Sequence, residues 1–274
     1  MKLNKLNNLQ QRIIAGLIGA AILISGTVIS EWTYFLVFFA ITLLSLIEFF
    51  QLLKKSSLRA NSGFGITAGL FIYILFFLVE KEIVDFQFLY LIFPLLFLLF
   101  IIELFKEQTT PFATIGYTFL GIIYIAIPFG LLHTTVYLFS TYSWQIILGI
   151  LLLLWGNDIG GYIAGKTMGR HKLFQRISPK KTWEGSIGGG ILSLLVAFAI
   201  STFMTDLHLI NWIVIAFIII VFGSYGDLVE SSFKRSISIK DSGGLIPGHG
   251  GFLDRFDGLL LASPFIISYL KLFA

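Results

Sequence analysis

Long apolar stretches separated by short polar ones make up most of the chain. Mostly apolar residues occupy 13–30, 33–52, 63–79, 84–103, 112–138, 144–164, 186–204, 209–229 and 256–273. A helix of about 20 apolar residues crosses the roughly 30 Å hydrocarbon core of a bilayer. The pattern therefore predicts an all-α, polytopic integral membrane protein with about nine transmembrane helices.

No linker rich in proline, glycine or serine divides these stretches, and no long repeat is visible. We therefore predict a single membrane domain over residues 1–274. Within it, residues 1–140 form N-terminal helices without an assigned role, and residues 141–274 form the catalytic helices and loops. The first apolar stretch has no convincing cleavage site, which favours a retained helix over a secretory signal.

The basic residues are distributed unequally between the two sides of the membrane. If the N-terminus is cytoplasmic and the sides alternate, all 19 Lys and Arg residues except Lys81 and Lys271 lie on the cytoplasmic side. This is the positive-inside pattern. It predicts a multi-pass protein of the cell (cytoplasmic or inner) membrane with a cytoplasmic N-terminus and a cytoplasmic active site.

Composition agrees with this topology and narrows the chemistry. Hydrophobic residues make up 57% of the chain and charged residues 12%, against about 25% charged residues in soluble domains. The net charge of +4 is explained by the cytoplasmic loops, so we expect no nucleic-acid partner. The chain has no cysteine, which excludes a thiolate nucleophile and thiolate metal ligands.

Two polar stretches, 155–190 and 223–257, carry most of the residues suited to chemistry. We predict that both form cytoplasmic loops, each beginning inside the end of an apolar helix. Asp158 and Asp227 stand near the ends of apolar helices, while Asp254 and Asp257 are one helical turn apart. Mg²⁺ in proteins prefers carboxylate oxygens combined with substrate phosphates, and nearby Lys and Arg residues neutralise phosphate charge. Both stretches therefore indicate phosphoryl or nucleotidyl transfer at the cytoplasmic face.

Residues 160–167, GGYIAGKT, match the phosphate-binding pattern G-x-x-x-x-G-K-[ST]. That motif requires a preceding β-strand, but an apolar helix precedes it here. Gly161, Gly165 and Gly169 are spaced by four, as in closely packed helices. We interpret the match as a helix-packing surface.

The second polar stretch resembles the phosphatidate cytidylyltransferase family, whose members are also called CDP-diglyceride synthetases. The resemblance rests on Ser231, Phe233, Lys234, Arg235, Lys240, Asp241, Gly243, Ile246, Pro247, His249, Gly250, Gly251, Phe252, Asp254, Arg255, Phe256 and Asp257. The sequence SPKKTWEG at 178–185, followed by Gly188 and Gly189, resembles the family's other polar block. The specific resemblance covers about 155–257, and the N-terminal half agrees only in hydropathy.

The resemblance implies an Mg²⁺-dependent transfer of CMP from CTP to phosphatidic acid, giving CDP-diacylglycerol and pyrophosphate for phospholipid biosynthesis. It also assigns roles, and the metal ligands would be Asp227 and Asp254. The catalytic residues would be Lys234, Arg235, Lys240, Asp241, His249, Arg255 and Asp257. The substrate-binding residues would be Ser178, Lys180, Lys181 and Asp158.

Other functions were weighed against this one. An ion-coupled transporter would place acids near the bilayer midplane, and a related lipid phosphotransferase would use another nucleotide. A non-catalytic protein that binds anionic lipids would need no group of carboxylates. The sequence leaves open a second cation, a homodimer, the acyl-chain preference and the residues that recognise cytosine.

Overall fold

Helices make up most of the computed structural model, which describes residues 8–239 and 250–274. Within these residues the elements are α1 (Asn8–Ile29), α2 (Glu31–Lys55), α3 (Ser62–Glu80), α4 (Phe86–Leu104), α5 (Pro111–Val136), α6 (Gln145–Met168), β1 (Lys172–Phe174), β2 (Ser178–Thr182), α7 (Trp183–Ile200), α8 (Leu209–Ser236) and α9 (Leu253–Phe273). Eight of the helices are long and apolar enough to cross a membrane, and α1 adds the apolar run Ile14–Ile29. The predicted all-α, polytopic membrane fold is confirmed.

Polar residues between the apolar stretches define where several helices begin. Ser30 and Thr33 form a capping box at the start of α2, in which each side chain accepts the other residue's backbone N–H. The Asn61 side chain accepts the N–H of Phe64 at the start of α3. Thr182 caps α7 in the same way. Such caps satisfy N–H groups that lack partners within the helix.

The described residues form two compact units. The first contains residues 8–130, 237–239 and 250–255, and the second contains residues 131–236 and 256–274. Aromatic side chains fill the core of the first unit, where the rings of Phe35 and Phe77 lie 4.5 Å apart. The Tyr73 hydroxyl donates to the carbonyl of Phe35 over 2.9 Å. The functional division predicted near residue 140 stays a prediction.

Large apolar side chains cover much of the outer surface. On α4, Phe93, Phe97 and Leu104 are 62%, 66% and 77% exposed. A soluble protein rarely exposes contiguous apolar patches of this kind, whereas hydrocarbon chains are a favourable environment for them. These side chains face lipid in a multi-pass membrane protein.

Glycines bring α6 and α7 into close contact in the second unit. A Cβ added at Gly160 would lie 2.6 Å from the Gly188 carbonyl oxygen and 3.0 Å from the Gly189 Cα. Residues 160–167 lie inside α6, with no strand before them. The interpretation of this stretch as a helix-packing surface is confirmed.

Much of the two polar stretches is helical rather than loop. Helix α8 has 28 residues and, at 1.5 Å per residue, is about 42 Å long, longer than the bilayer core. Its polar last turns therefore extend beyond the apolar part. Between α6 and α7, β1 and β2 form a short antiparallel hairpin that pairs Lys172 with Thr182, where the sequence indicated only a loop.

The tight contact at Gly160 predicts that Gly160→Ala destabilises the protein by about 1–3 kcal/mol, because the new methyl group meets backbone atoms that must move. Gly161→Ala is the matched control, since its Cβ would lie 3.6 Å from the Gly185 carbonyl oxygen, an ordinary contact. Thermal unfolding of the purified protein in detergent measures both. Equal melting temperatures for the two variants would contradict this account of the packing.

Candidate active site

Three carboxylates from two helices meet in the second unit. Asp227 and Glu230 are one turn apart on α8, and Asp257 lies near the start of α9. One oxygen from each lies within 4.8 Å of the others. We call these three residues the acidic cluster. Among the described residues it is the arrangement best suited to hold a metal ion.

A close backbone contact allows this meeting. A Cβ at Gly226 would lie 2.3 Å from the Asp257 carbonyl oxygen and 2.7 Å from the Gly258 Cα. Any side chain at position 226 would therefore push the two helices apart. The glycine next to Asp227 is thus a geometric requirement for the acidic cluster.

Two lysines and a backbone N–H hold the carboxylates. The Lys181 Nζ lies 2.8 Å from Asp227 Oδ2 and donates to the Ser224 carbonyl over 2.9 Å. The Lys234 Nζ donates to Glu230 Oε2 over 3.2 Å. The N–H of Gly258 donates to Asp257 Oδ1 over 2.7 Å. The cations come from β2 and from α8 itself, so the hairpin contributes directly to the site.

Carboxylates repel one another in this region. Asp158 and Asp227 both act electrostatically on Asp257. A divalent cation shared by these carboxylates would relieve such repulsion, so the arrangement suits one.

The geometry also suits such a cation. Mg²⁺ binds oxygen ligands at 2.0–2.1 Å in an octahedron, so opposed ligand oxygens lie about 4 Å apart. The cluster oxygens lie within 4.8 Å of one another, which is comparable with this separation. The cluster residues differ in exposure, since the side chain of Glu230 is 2% exposed and that of Asp227 is 42% exposed. The cluster can therefore hold an ion that also contacts a substrate from solvent.

Several residues assigned by resemblance belong to the second unit. Asp227, Asp257, Lys181 and Lys234 belong to the acidic cluster or contact it. The structure places the others as follows: Asp158 is exposed on α6, Ser178 and Lys180 lie on β2, and Arg235 is exposed in the last turn of α8. Their roles toward substrate stay predictions.

The remaining assigned residues lie elsewhere. Asp254 and Arg255 belong to the first unit, where Asp254 Oδ2 accepts the N–H of Gly251 over 3.2 Å, and Arg255 is exposed. Asp254 is not a member of the acidic cluster, and its role as a metal ligand stays a prediction. Lys240, Asp241 and His249 lie outside the described residues.

Glu230 is the cluster member that sequence reasoning did not identify. A signal for it was present, because it follows Asp227 by three residues and precedes Lys234 by four. On a helix, both spacings bring side chains to one face. The apolar residues around it concealed this acidic face, because they extend the membrane helix.

Comparison with known proteins adds the family. The model of the Cytidylyltransferase family matches residues 10–273. The chain belongs to the cytidylyltransferase family. A phosphatidate cytidylyltransferase of Bacillus subtilis is 32% identical over 97% of this chain and 99% of its own length. A phosphatidate cytidylyltransferase of Staphylococcus saprophyticus is 39% identical over 62% of this chain and 64% of its own length.

A further phosphatidate cytidylyltransferase, from Staphylococcus aureus, is 41% identical over 57% of this chain and 58% of its own length. The resemblance found in the sequence is therefore confirmed as membership of this family. Because the family model spans nearly all described residues, both units belong to the cytidylyltransferase fold.

The ion pair between Lys181 and Asp227 yields a prediction. We expect Lys181→Ala to lower kcat by about tenfold or more, because a preorganised cation beside the acidic cluster is lost. Lys172→Ala is the matched control: it is an exposed lysine of the same hairpin, on β1, and should keep normal kcat. Steady-state rates with CTP and phosphatidate measure both. Equal rates would remove Lys181 from the site.

Proposed function

We propose that this chain transfers the CMP group of CTP to phosphatidate in the cell membrane, producing CDP-diacylglycerol and pyrophosphate. The observation that carries the proposal is the acidic cluster beside Lys181 and Lys234, in a chain of the cytidylyltransferase family. The curated relatives are named phosphatidate cytidylyltransferases. Their named activity suits a site that must bind phosphates next to lipid.

The reaction requires two negatively charged molecules to meet. A phosphate oxygen of phosphatidate attacks the α-phosphorus of CTP, and the bond from that phosphorus to the bridging oxygen of pyrophosphate breaks. The attacking oxygen is already an anion near neutral pH, so no general base is needed. Electrostatic stabilisation and positioning dominate such transfers, and this is the task of the charged side chains.

In this proposal Asp227, Glu230 and Asp257 would hold Mg²⁺. A bound cation there would supply positive charge for the phosphate groups of the substrates. Lys181 orients the Asp227 carboxylate through its 2.8 Å ion pair. Lys234 does the same for Glu230 from within α8. The lysines thereby prepare the carboxylates and add positive charge for the phosphates.

The residues implied by resemblance complete the proposed phosphate contacts. Arg235 and Arg255 are exposed cations, and a guanidinium binds phosphate oxygens in a bidentate manner. Lys240, Asp241 and His249 are assigned catalytic roles by the motif alone. Ser178, Lys180 and Asp158 are proposed to bind substrate.

The proposed metal role is tested by neutralising each carboxylate. Asp227→Asn, Glu230→Gln and Asp257→Asn should each raise the Mg²⁺ concentration for half-maximal CDP-diacylglycerol synthesis by at least about tenfold, a loss comparable to that seen when metal sites are perturbed. Binding of Mn²⁺, followed by electron paramagnetic resonance, should weaken in parallel.

Asp206→Asn is the matched control for the metal experiment. Asp206 is another aspartate of the second unit, but its carboxylate accepts a hydrogen bond from Ser143. Its Mg²⁺ requirement should equal that of the wild-type protein. If all three cluster variants also kept the wild-type requirement, the proposed cation site would be wrong.

We further propose that the acidic cluster and the hairpin face the cytoplasm, as the positive-inside pattern indicates. The absence of cysteine permits a direct test. A cysteine introduced as Arg176→Cys should react with a membrane-impermeant maleimide only in inside-out vesicles. Thr141→Cys, in the segment between α5 and α6, should react in intact cells. The reverse labelling pattern would show that the hairpin faces the opposite side of the membrane.

A further inference from the structure

A second buried carboxylate lies in the first unit, outside the acidic cluster. Glu48 belongs to the membrane-spanning helix α2 and is 1% exposed. Ionisable residues within membrane helices are energetically unfavourable, and they generally serve a function with an identifiable partner. No step proposed above uses Glu48.

Glu48 contacts the backbone of residues 250–252, which we call the motif turn because they belong to the family motif. The N–H of Phe252 donates to Glu48 Oε2 over 2.7 Å. A Cβ at Gly251 would lie 1.6 Å from Glu48 Oε1. Only glycine at position 251 therefore lets the carboxylate come this close.

The motif turn is also held from its other side by α9. Gly250 has φ +83°, a left-handed conformation that glycine adopts easily. The N–H of Gly251 donates to Asp254 Oδ2 over 3.2 Å. The N–H of Arg255 donates to the Phe252 carbonyl over 3.0 Å. Two carboxylates thus accept the N–H groups of Gly251 and Phe252, and α9 begins directly after them.

We propose that Glu48 is a positioning residue for the reaction. Its carboxylate holds the backbone of the motif turn in place, and this backbone sets the positions of the Asp254 and Arg255 side chains. Glu48 touches backbone and not substrate, so it acts through the residues that the turn carries. The inference rests on the proposed phosphate-binding role of the family motif.

The first test replaces Glu48 and measures kcat and the melting temperature separately. Glu48→Ala should lower kcat by about tenfold or more, because small displacements of a catalytic group reduce rates strongly. Glu48→Gln keeps an oxygen acceptor for the Phe252 N–H and should stay within about threefold of wild type. Glu48→Asp keeps the charge but shortens the side chain, and should resemble Glu48→Ala.

Glu103→Ala is the matched control. Glu103 is 2% exposed and lies in the same unit, but it accepts hydrogen bonds from Asn61 at 2.7 Å and Lys106 at 2.8 Å. Its replacement should lower the melting temperature and leave kcat per folded molecule unchanged. A merely structural Glu48 would behave as Glu103 does.

A double-mutant cycle tests the contact itself. Gly251→Ala should lower kcat in the wild-type background, because the new Cβ meets the Glu48 carboxylate. In the Glu48→Ala background that obstacle is gone, so adding Gly251→Ala should cause little further loss. Contacting residues show such non-additivity. Independent, additive losses would overturn the proposal.

The outcomes separate this inference from the proposed function. If the wild-type protein makes CDP-diacylglycerol but Glu48→Ala and Glu48→Asp keep its kcat, the positioning role is overturned and the function stands. If the wild-type protein makes no product from CTP, phosphatidate and Mg²⁺, the proposed function is wrong. Should Glu48→Ala fail to fold, Glu48→Asp and Glu48→Gln provide the same comparison.

Discussion

Three carboxylates from two helices meet in this protein because the backbones of α8 and α9 nearly touch. Gly226 provides that contact, because any side chain there would meet the backbone of Asp257 and Gly258. The close approach sets Asp227 and Glu230 opposite Asp257. The rest of the site follows from the need to compensate these charges at the edge of an apolar protein, where unpaired ions are strongly unfavourable.

The compensating groups come from elements with different local structure. Lys234 extends from the same helix as Glu230, whereas Lys181 is delivered by a β-hairpin between two membrane helices. Strand β2 positions Lys181 beside α8, and the pairing of Lys172 with Thr182 holds the two strands of the hairpin together.

In the first unit, a buried carboxylate binds a backbone N–H group. Glu48, in an apolar helix, accepts the N–H of Phe252 from the motif turn. Glu103, equally buried, is compensated by side chains instead. Glu48 and Glu103 thus each bind polar groups of a neighbouring segment.

Hydrophobic periodicity and length determined the nine helices, because twenty apolar residues in a bilayer have few alternatives to a helix. Asp227, Lys234 and Asp257 could be assigned from the family resemblance, because a resemblance depends only on residue types and their spacing along the chain. Glu230, the hairpin that carries Lys181, and the contact of Glu48 with residues 250–252 were decided by tertiary structure. Each depends on which residues distant in sequence pack together, and hydropathy carries no information about that.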